Sequence, residues 1–161
     1  MRTFTYAVVI LLLCIAPSQA NSATHYITDD GTGDYPTIQA AITASITGDT
    51  IVLADGTFTG SGNWDIDFSG KNVVVRSENG RSFCVIDCGY GLSGEHRAFH
   101  FHSGEDSTAV VEEITIQDGY LEALPGAGIL IENGSDPTIR DCYINGCRAI
   151  GSGPGTGYGG G

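Results

Sequence analysis

Short apolar segments recur through the chain at nearly regular intervals, each closed by an Asx-Gly or glycine turn. Ile51-Val52-Leu53 is followed by Asp55-Gly56, Val73-Val74-Val75 by Asn79-Gly80, and Cys84-Val85-Ile86 by Gly89. Ile114 and Ile116 precede Asp118-Gly119; Ile129 and Ile131 precede Asn133-Gly134; Ile139, Cys142 and Ile144 precede Asn145-Gly146. Alternation of apolar and polar residues marks half-buried strands, and Asx-Gly pairs accept the positive φ of tight turns. The turns at Asp30-Gly31, Asp55-Gly56 and Asn79-Gly80 stand about 24–25 residues apart. Cys84–Ile86, Ile114–Ile116 and Cys142–Ile144 echo one another at longer intervals, as do Phe99–Phe101 and Ile129–Ile131. A repeat of that length, built from very short strands, predicts an all-β solenoid whose turns stack as a parallel β-helix. A sandwich or jelly roll, with longer strands in tight hairpins, is the alternative.

One segment breaks the period of two. Ile38, Ile42 and Ile46 stand four apart in Thr37–Ile46, which predicts an amphipathic helix over 37–46, with Pro36 in its first turn and Gly48-Asp49 at its end. A β-helix exposes unpaired backbone and core side chains at each open end. This helix, before the first strong strand, has the position of a cover.

Residues 1–20 read as an export signal. Arg2 precedes an apolar run from Tyr6 to Ala16, and Ser18-Gln19-Ala20 offers a small-x-small cleavage site. The run is shorter than the roughly 20 residues that span a bilayer. A secreted or cell-surface protein is therefore expected, with no membrane insertion after cleavage. The domain organisation read from the sequence is a signal peptide over 1–20, a β-helix domain over 21–150, and a glycine-rich segment over 151–161. That last segment is either the start of a further coil or a flexible tail.

Export permits disulfides. Four cysteines remain after the leader, Cys84, Cys88, Cys142 and Cys147, and sequence does not choose among their three pairings. In a strand Cys84 and Cys88 stand about 13 Å apart, too far to bridge each other, and both point the way Ile86 points. Buried thiols and bridges elsewhere both stay open.

Charge narrows the partners. Acids outnumber Lys and Arg by 19 to 7, for a formal charge of −12. Without a basic stripe the chain lacks the main source of affinity for nucleic acid, and anionic membranes repel it. A polysaccharide or a cell-surface component remains as the expected partner.

The stretch Thr28-Asp29-Asp30-Gly31-Thr32-Gly33-Asp34-Tyr35-Pro36-Thr37-Ile38-Gln39-Ala40-Ala41-Ile42, with Gly48-Asp49-Thr50-Ile51-Val52-Leu53-Ala54-Asp55-Gly56-Thr57-Phe58 after it, resembles the opening of pectin methylesterases and pectate-lyase-like proteins. Gly126-Ala127-Gly128-Ile129, Ser135-Asp136-Pro137-Thr138-Ile139 and Gly159-Gly160-Gly161 resemble the repeat of secreted bacterial right-handed β-helix proteins. Together these cover about residues 25–161. The resemblance implies an N-terminal cap and first coil of a right-handed parallel β-helix. It also implies an N-terminal piece of a longer protein, since the closing glycine triplet opens a further coil in that repeat. A complete small protein with a glycine tail is the alternative. The family's downstream catalytic motifs have no match, and fold does not transfer function.

The residues suited to chemistry are few. Asp65, Asp67 and Asp87 are weak candidates for a catalytic or Ca²⁺-binding carboxylate cluster; Asp65 and Asp67 are expected on one outward face, with Asp87 near them if the coils align. Ca²⁺ enters only under a lyase reading, and no other cofactor is expected. His100 and His102 form a His-x-His pair able to give two metal ligands, with Glu95, Glu105 and Asp106 close in sequence. Solvated polar faces account for both groups equally simply. Asn133-Gly134-Ser135 fits an N-glycosylation acceptor and also an Asx-Gly turn. Trp64 is expected in the core, while a tyrosine such as Tyr143 is suited to stacking on sugar rings. The glycine-rich 151–161 lacks the Lys of a phosphate loop. The expected function is a non-catalytic β-helix protein presenting a face to polysaccharide or a surface partner. The alternative is a carbohydrate-active enzyme: a polysaccharide lyase, pectin esterase or glycoside hydrolase.

Overall fold

The computed structural model describes residues 21–91 and 94–151, and the backbone of 157–158. The leader read at 1–20 and most of the glycine-rich segment lie outside the described residues. The chain winds as a parallel β-solenoid of about four turns. Sheet A stacks β1 (Thr24–Ile27), β2 (Thr50–Leu53), β5 (Val74–Ser77), β8 (Val110–Glu112) and β12 (Thr138–Arg140). Sheet B stacks β3 (Gly56–Phe58), β6 (Cys84–Asp87), β9 (Thr115–Gln117) and β13 (Tyr143–Asn145). Sheet C stacks β4 (Ile66–Asp67), β7 (Phe99–Phe101) and β11 (Ile129–Ile131). A fourth side carries β10 (Tyr120–Glu122), β14 (Arg148–Ile150) and β15 (Gly157–Tyr158), the last antiparallel to β14.

The register confirms the echoes read in the sequence. Ile86, Ile116 and Ile144 are successive partners in sheet B, and Phe99 pairs with Ile129 in sheet C. Because side chains alternate across a strand, one row of each sheet points inward and stacks on its own kind. Ile51, Val75 and Val111 form such a row in sheet A and are fully buried. Phe68, Phe99 and Phe101 pack together, with ring centroids 4.6 Å apart for Phe68–Phe101. Corners are made by single residues in the left-handed region. Glu113 (φ 57°) and Asp141 (φ 53°) turn the chain from sheet A to sheet B, and Asp118 (φ 56°) and Gly146 (φ 67°) turn it to the fourth side. One residue at positive φ redirects the chain without lengthening it. The segment Ile139–Ile144 is accordingly two strands around Asp141, not one.

Cys84, Ile86 and Cys88 all point inward as expected, and all four described cysteines are free thiols. Register sets Cys84, Ile114 and Cys142 in successive coils, so the two thiols lie two strand steps apart, about 9.6 Å. That exceeds disulfide reach.

The helix is shorter than its periodicity suggested. It spans Ile38–Ala44 (α1), with the Thr37 hydroxyl accepting from Ala40 N at 3.2 Å and Ser45 as C-cap. Pro36 thus precedes the helix, and Ile46 lies beyond it, 49% exposed. Asp49 draws the chain away there, its carboxylate accepting from Ile46 N at 2.9 Å and Ala23 N at 2.7 Å. Ile38, Ala41 and Ile42 are fully buried against the first coil, as a cover requires, and Lys71 Nζ closes the helix end on the carbonyls of Ile42 and Thr43.

A strand precedes the cover that sequence patterning missed: β1, whose His25-Tyr26-Ile27 resembles nothing periodic. It completes a device that closes the first edge of each sheet. In sheet A, Asp34 pairs with Tyr26 like a strand residue, its N–H donating to Tyr26 O at 2.7 Å and its carboxylate accepting from Tyr26 N at 2.7 Å. In sheet B, Asp29 accepts from Thr57 N at 3.2 Å. In sheet C, Gln39 donates to Asp67 O at 3.0 Å and accepts from Asp67 N at 2.8 Å. Gly33 is needed because a Cβ there would stand 2.5 Å from Tyr26 O.

Candidate functional site

Thr57, Val85 and Thr115 are successive partners in sheet B, and Asp67, His100 and Leu130 in sheet C. The chain between these rows is ten residues long in the first coil and fifteen in the next two. The longer connections build the fourth side and an open groove. After β6, Asp87 Oδ1 accepts from Gly89 N at 2.8 Å, and Gly91 (φ 79°) and Gly94 (φ 114°) carry the chain round. Tyr90 N then bonds Asp118 O, and Tyr120 N bonds His96 O, each at 2.9 Å, tying this loop to the following coil.

The groove has a volume of about 480 Å³ and is lined by Tyr90, Gly91, Gly94, Glu95, Tyr120 and Glu122. The rings of Tyr90 and Tyr120 lie 4.8 Å apart, tilted by 45°. Tyr90 is 44% exposed. The Tyr120 hydroxyl donates to Glu122 Oε1, and Glu95 Oε2 accepts from Glu122 N at 3.3 Å. The Glu122 carboxylate on its hydroxyl pushes the Tyr120 phenol up to about 12, so Tyr120 is neutral at ordinary pH.

Beside the groove stands a histidine held from two sides. Asp65 Oδ2 lies 2.6 Å from His96 Nδ1, and Trp64 stacks on the imidazole at 4.3 Å and 14°. His96 Nε2 is 3.6 Å from where a Cβ on Gly94, a groove residue, would be. Trp64 is therefore partly buried under a polar ring, rather than wholly within the core. Next in the chain, Arg97 is 8% exposed, and its Nη1 has no hydrogen-bond partner among the described residues. Burial lowers its pKa, opposed by the charges of Asp65 and Glu132.

The carboxylates singled out from the sequence do not converge. Asp65 adopts φ 49°, which interrupts the alternation that was to put it on one face with Asp67. Its Oδ1 accepts from Arg97 N at 3.1 Å, whereas Asp67 lies on the outer side of sheet C, 3.3 Å from His102 Nε2. Asp87 belongs to sheet B, where Gln117 Nε2 donates to it at 3.0 Å. His100 and His102 are neighbours, with ring centroids 4.2 Å apart, but each takes its own carboxylate: His100 Nε2 meets Glu132 Oε1 at 2.8 Å. Among the described residues, no group of three or more His, Cys, Asp or Glu is placed to hold a metal ion. Glu105 serves the corner from sheet C to sheet A, where it accepts from Gly70 N and Ser103 N.

No protein-family model, curated protein or solved structure matches this chain.

The groove was missed in the sequence because its parts are distant and unpatterned. Tyr90 and Tyr120 stand thirty positions apart, and only the coil register brings them together. The available signal was the excess length between Cys88 and Phe99 over its counterpart in the first coil. Residues that a connection carries beyond what the ladder needs are available for function. Tyr143, the tyrosine considered for sugar stacking, is 55% exposed on the outer side of sheet B, away from the groove. Asn133 (φ 53°) and Gly134 (φ 80°) form the turn expected of them.

Proposed function

We propose that this chain is a secreted or cell-surface β-solenoid that binds polysaccharide through the Tyr90–Tyr120 groove. The single observation that carries the reading is the tilted tyrosine pair at 4.8 Å within an open 480 Å³ groove, flanked by Glu95 and Glu122. Aromatic rings offer large, rigid apolar faces at low entropic cost, and carboxylates accept hydrogen bonds from hydroxyl groups. The volume falls within the roughly 300–1,000 Å³ of small-molecule sites, and an open groove lets a polymer pass through. Support for secretion comes from the leader-like residues 1–20. Support for a pectate-lyase-like, right-handed relationship comes from the opening motif, whose Asp29, Gly33, Asp34 and Gln39 all serve the cap. Purified protein should be tested against immobilised polysaccharides. Binding that falls at least tenfold in Tyr90→Ala and Tyr120→Ala, with the fold unchanged, is expected; no binding, or binding indifferent to both changes, overturns the reading.

A second reading, a carbohydrate-active enzyme, is favoured by the Asp65–His96 contact. A carboxylate on Nδ1 fixes the tautomer and orientation of an imidazole that exchanges protons through Nε2. The protein would then act on polygalacturonate, with or without Ca²⁺, giving unsaturated product, or on its methyl-esterified form, releasing methanol, and Asp65→Asn would abolish the activity. Turnover unaffected by Asp65→Asn would remove this reading.

A further inference from the structure

Resting on the glycan-binding reading, we infer that the groove selects a polysaccharide carrying free ammonium groups: a polymer of de-acetylated amino sugars rather than an acidic or neutral glycan.

Charge at the groove carries the argument. Among the described residues its lining contains two carboxylates and no Lys or Arg. Each carboxylate is engaged through one oxygen, Glu122 Oε1 by the Tyr120 hydroxyl and Glu95 Oε2 by the Glu122 N–H. The second oxygen of each has no partner among the described residues. Arg148 is paired in register with Tyr120 on the neighbouring strand, but it is not among the described residues that line the groove. The chain as a whole has a formal charge of −12, so the long-range field points the same way as the local one. A uronate polymer would bring carboxylates against carboxylates. A neutral sugar would satisfy the rings and donate hydroxyl hydrogen bonds, but it would leave the two negative charges unneutralised.

An ammonium group satisfies both halves of the site. It donates up to three hydrogen bonds, which suits two carboxylate oxygens left over by local contacts. It is also drawn to the faces of Tyr90 and Tyr120, since a cation is attracted to the negative face of an aromatic ring. Tyr120 stays protonated to well above neutral pH and so keeps that face neutral, with its hydroxyl pinning Glu122 in place. The sugar ring supplies the apolar face that a bare cation lacks. A basic peptide would match the charge but not the ring-sized aromatic surface.

The test is titration calorimetry of the full chain with four soluble probes: the hexamers of glucosamine, N-acetylglucosamine and glucose, and hexalysine. Glucosamine hexamer is expected to bind at least tenfold more tightly than the N-acetylglucosamine and glucose hexamers. Its affinity should fall at least tenfold in Glu95→Gln/Glu122→Gln and decline with added salt. Tyr90→Ala should weaken glucosamine hexamer. Circular dichroism and thermal melting of each variant separate lost binding from lost fold. Equal affinity for the glucosamine and glucose hexamers overturns the charge selection but leaves the glycan reading standing. Hexalysine binding as tightly as glucosamine hexamer, unaffected by Tyr90→Ala, also overturns the inference and makes the groove a site for basic peptides. Failure of every sugar to bind removes the glycan reading itself.

Discussion

The carboxamide of Gln39 makes with the peptide of Asp67 the two hydrogen bonds that a neighbouring strand would make, one donated and one accepted. A side chain from the covering helix thus stands in for a missing strand of sheet C. Replacing it with leucine keeps the bulk and removes both bonds. Gln39→Leu is expected to lower stability by about 1–2 kcal/mol. Hydrogen exchange at the Asp67 amide should accelerate more than that of Val75, which lies inside sheet A. Unaltered exchange at Asp67 would show that the edge is closed by something else.

The contrast between Ile42 and Ile46 tests the cover itself. Ile42 is fully buried, while Ile46 is half exposed after the helix has ended. Ile42→Asp puts a carboxylate against the apolar end of the first coil and is expected to cost several kcal/mol, with faster proteolysis and aggregation. Ile46→Asp should change stability by no more than about 0.5 kcal/mol. Denaturant titration of the two variants reads the difference, and equal losses would contradict the observed helix end.

Glu105 fastens three coils. It is 1% exposed and accepts from Gly70 N at 2.8 Å, Ser103 N at 3.0 Å and the Ser135 hydroxyl at 2.7 Å. Burial alone would raise its pKa; the Ser135 hydroxyl and the backbone N–H groups outweigh that and hold it below the ordinary 4.5. A carboxyl depressed by folding contributes stability that is fully present above its unfolded pKa. That stability is lost as pH falls through its folded value. The denaturation midpoint should therefore be steady above about pH 5 and fall in stronger acid. Glu105→Gln is expected to lose about 1.5–3 kcal/mol near neutrality, with a shallower acid decline. An unchanged acid profile would assign the decline to other carboxylates, Asp49 first among them, since its two backbone donors and His25 likewise overcome its burial.

The thiols should be chemically quiet. Burial pushes Cys84 up to about 12, and raises Cys88 as well. Only the thiolate attacks alkylating reagents. Native protein at pH 8 should leave Cys84 and Cys88 unlabelled by iodoacetamide, and denatured protein should label fully. A shift in non-reducing gel mobility on adding reductant would reveal a disulfide and contradict the four free thiols.

Much of this architecture is legible in the sequence alone. The Ile and Phe rows repeat the same residue type at stacked positions, because inward side chains of successive coils share one environment, and such repetition survives in the sequence. β1 was hidden since its outer neighbour is Asp34, a residue whose pairing shows only in three dimensions. The split at Asp141 was hidden because a positive φ at an Asp leaves no mark on hydrophobic period. The groove was hidden for a different reason. Tyr90, Glu95, Tyr120 and Glu122 belong to two coils, and nothing in their local spacing announces that the coils set them side by side. Asp65 was singled out, yet its meaning depends on His96, thirty-one positions away.

Thr50, Val74, Val110 and Thr138 are successive partners in sheet A, so neighbouring coils differ in length by as much as twelve residues while the ladder stays in register. All of that variation is discharged at the corners. The scaffold therefore behaves like a spine of fixed vertebrae with interchangeable processes. Mutation, insertion or laboratory grafting between Gly89 and Glu95, ahead of the Arg97 and Ala98 backbone that pairs within sheet C, is expected to rewrite what the molecule grips while the stacked rows beneath keep their places. A library built in that interval, screened for retained cooperative unfolding, would measure how far recognition and architecture have been uncoupled.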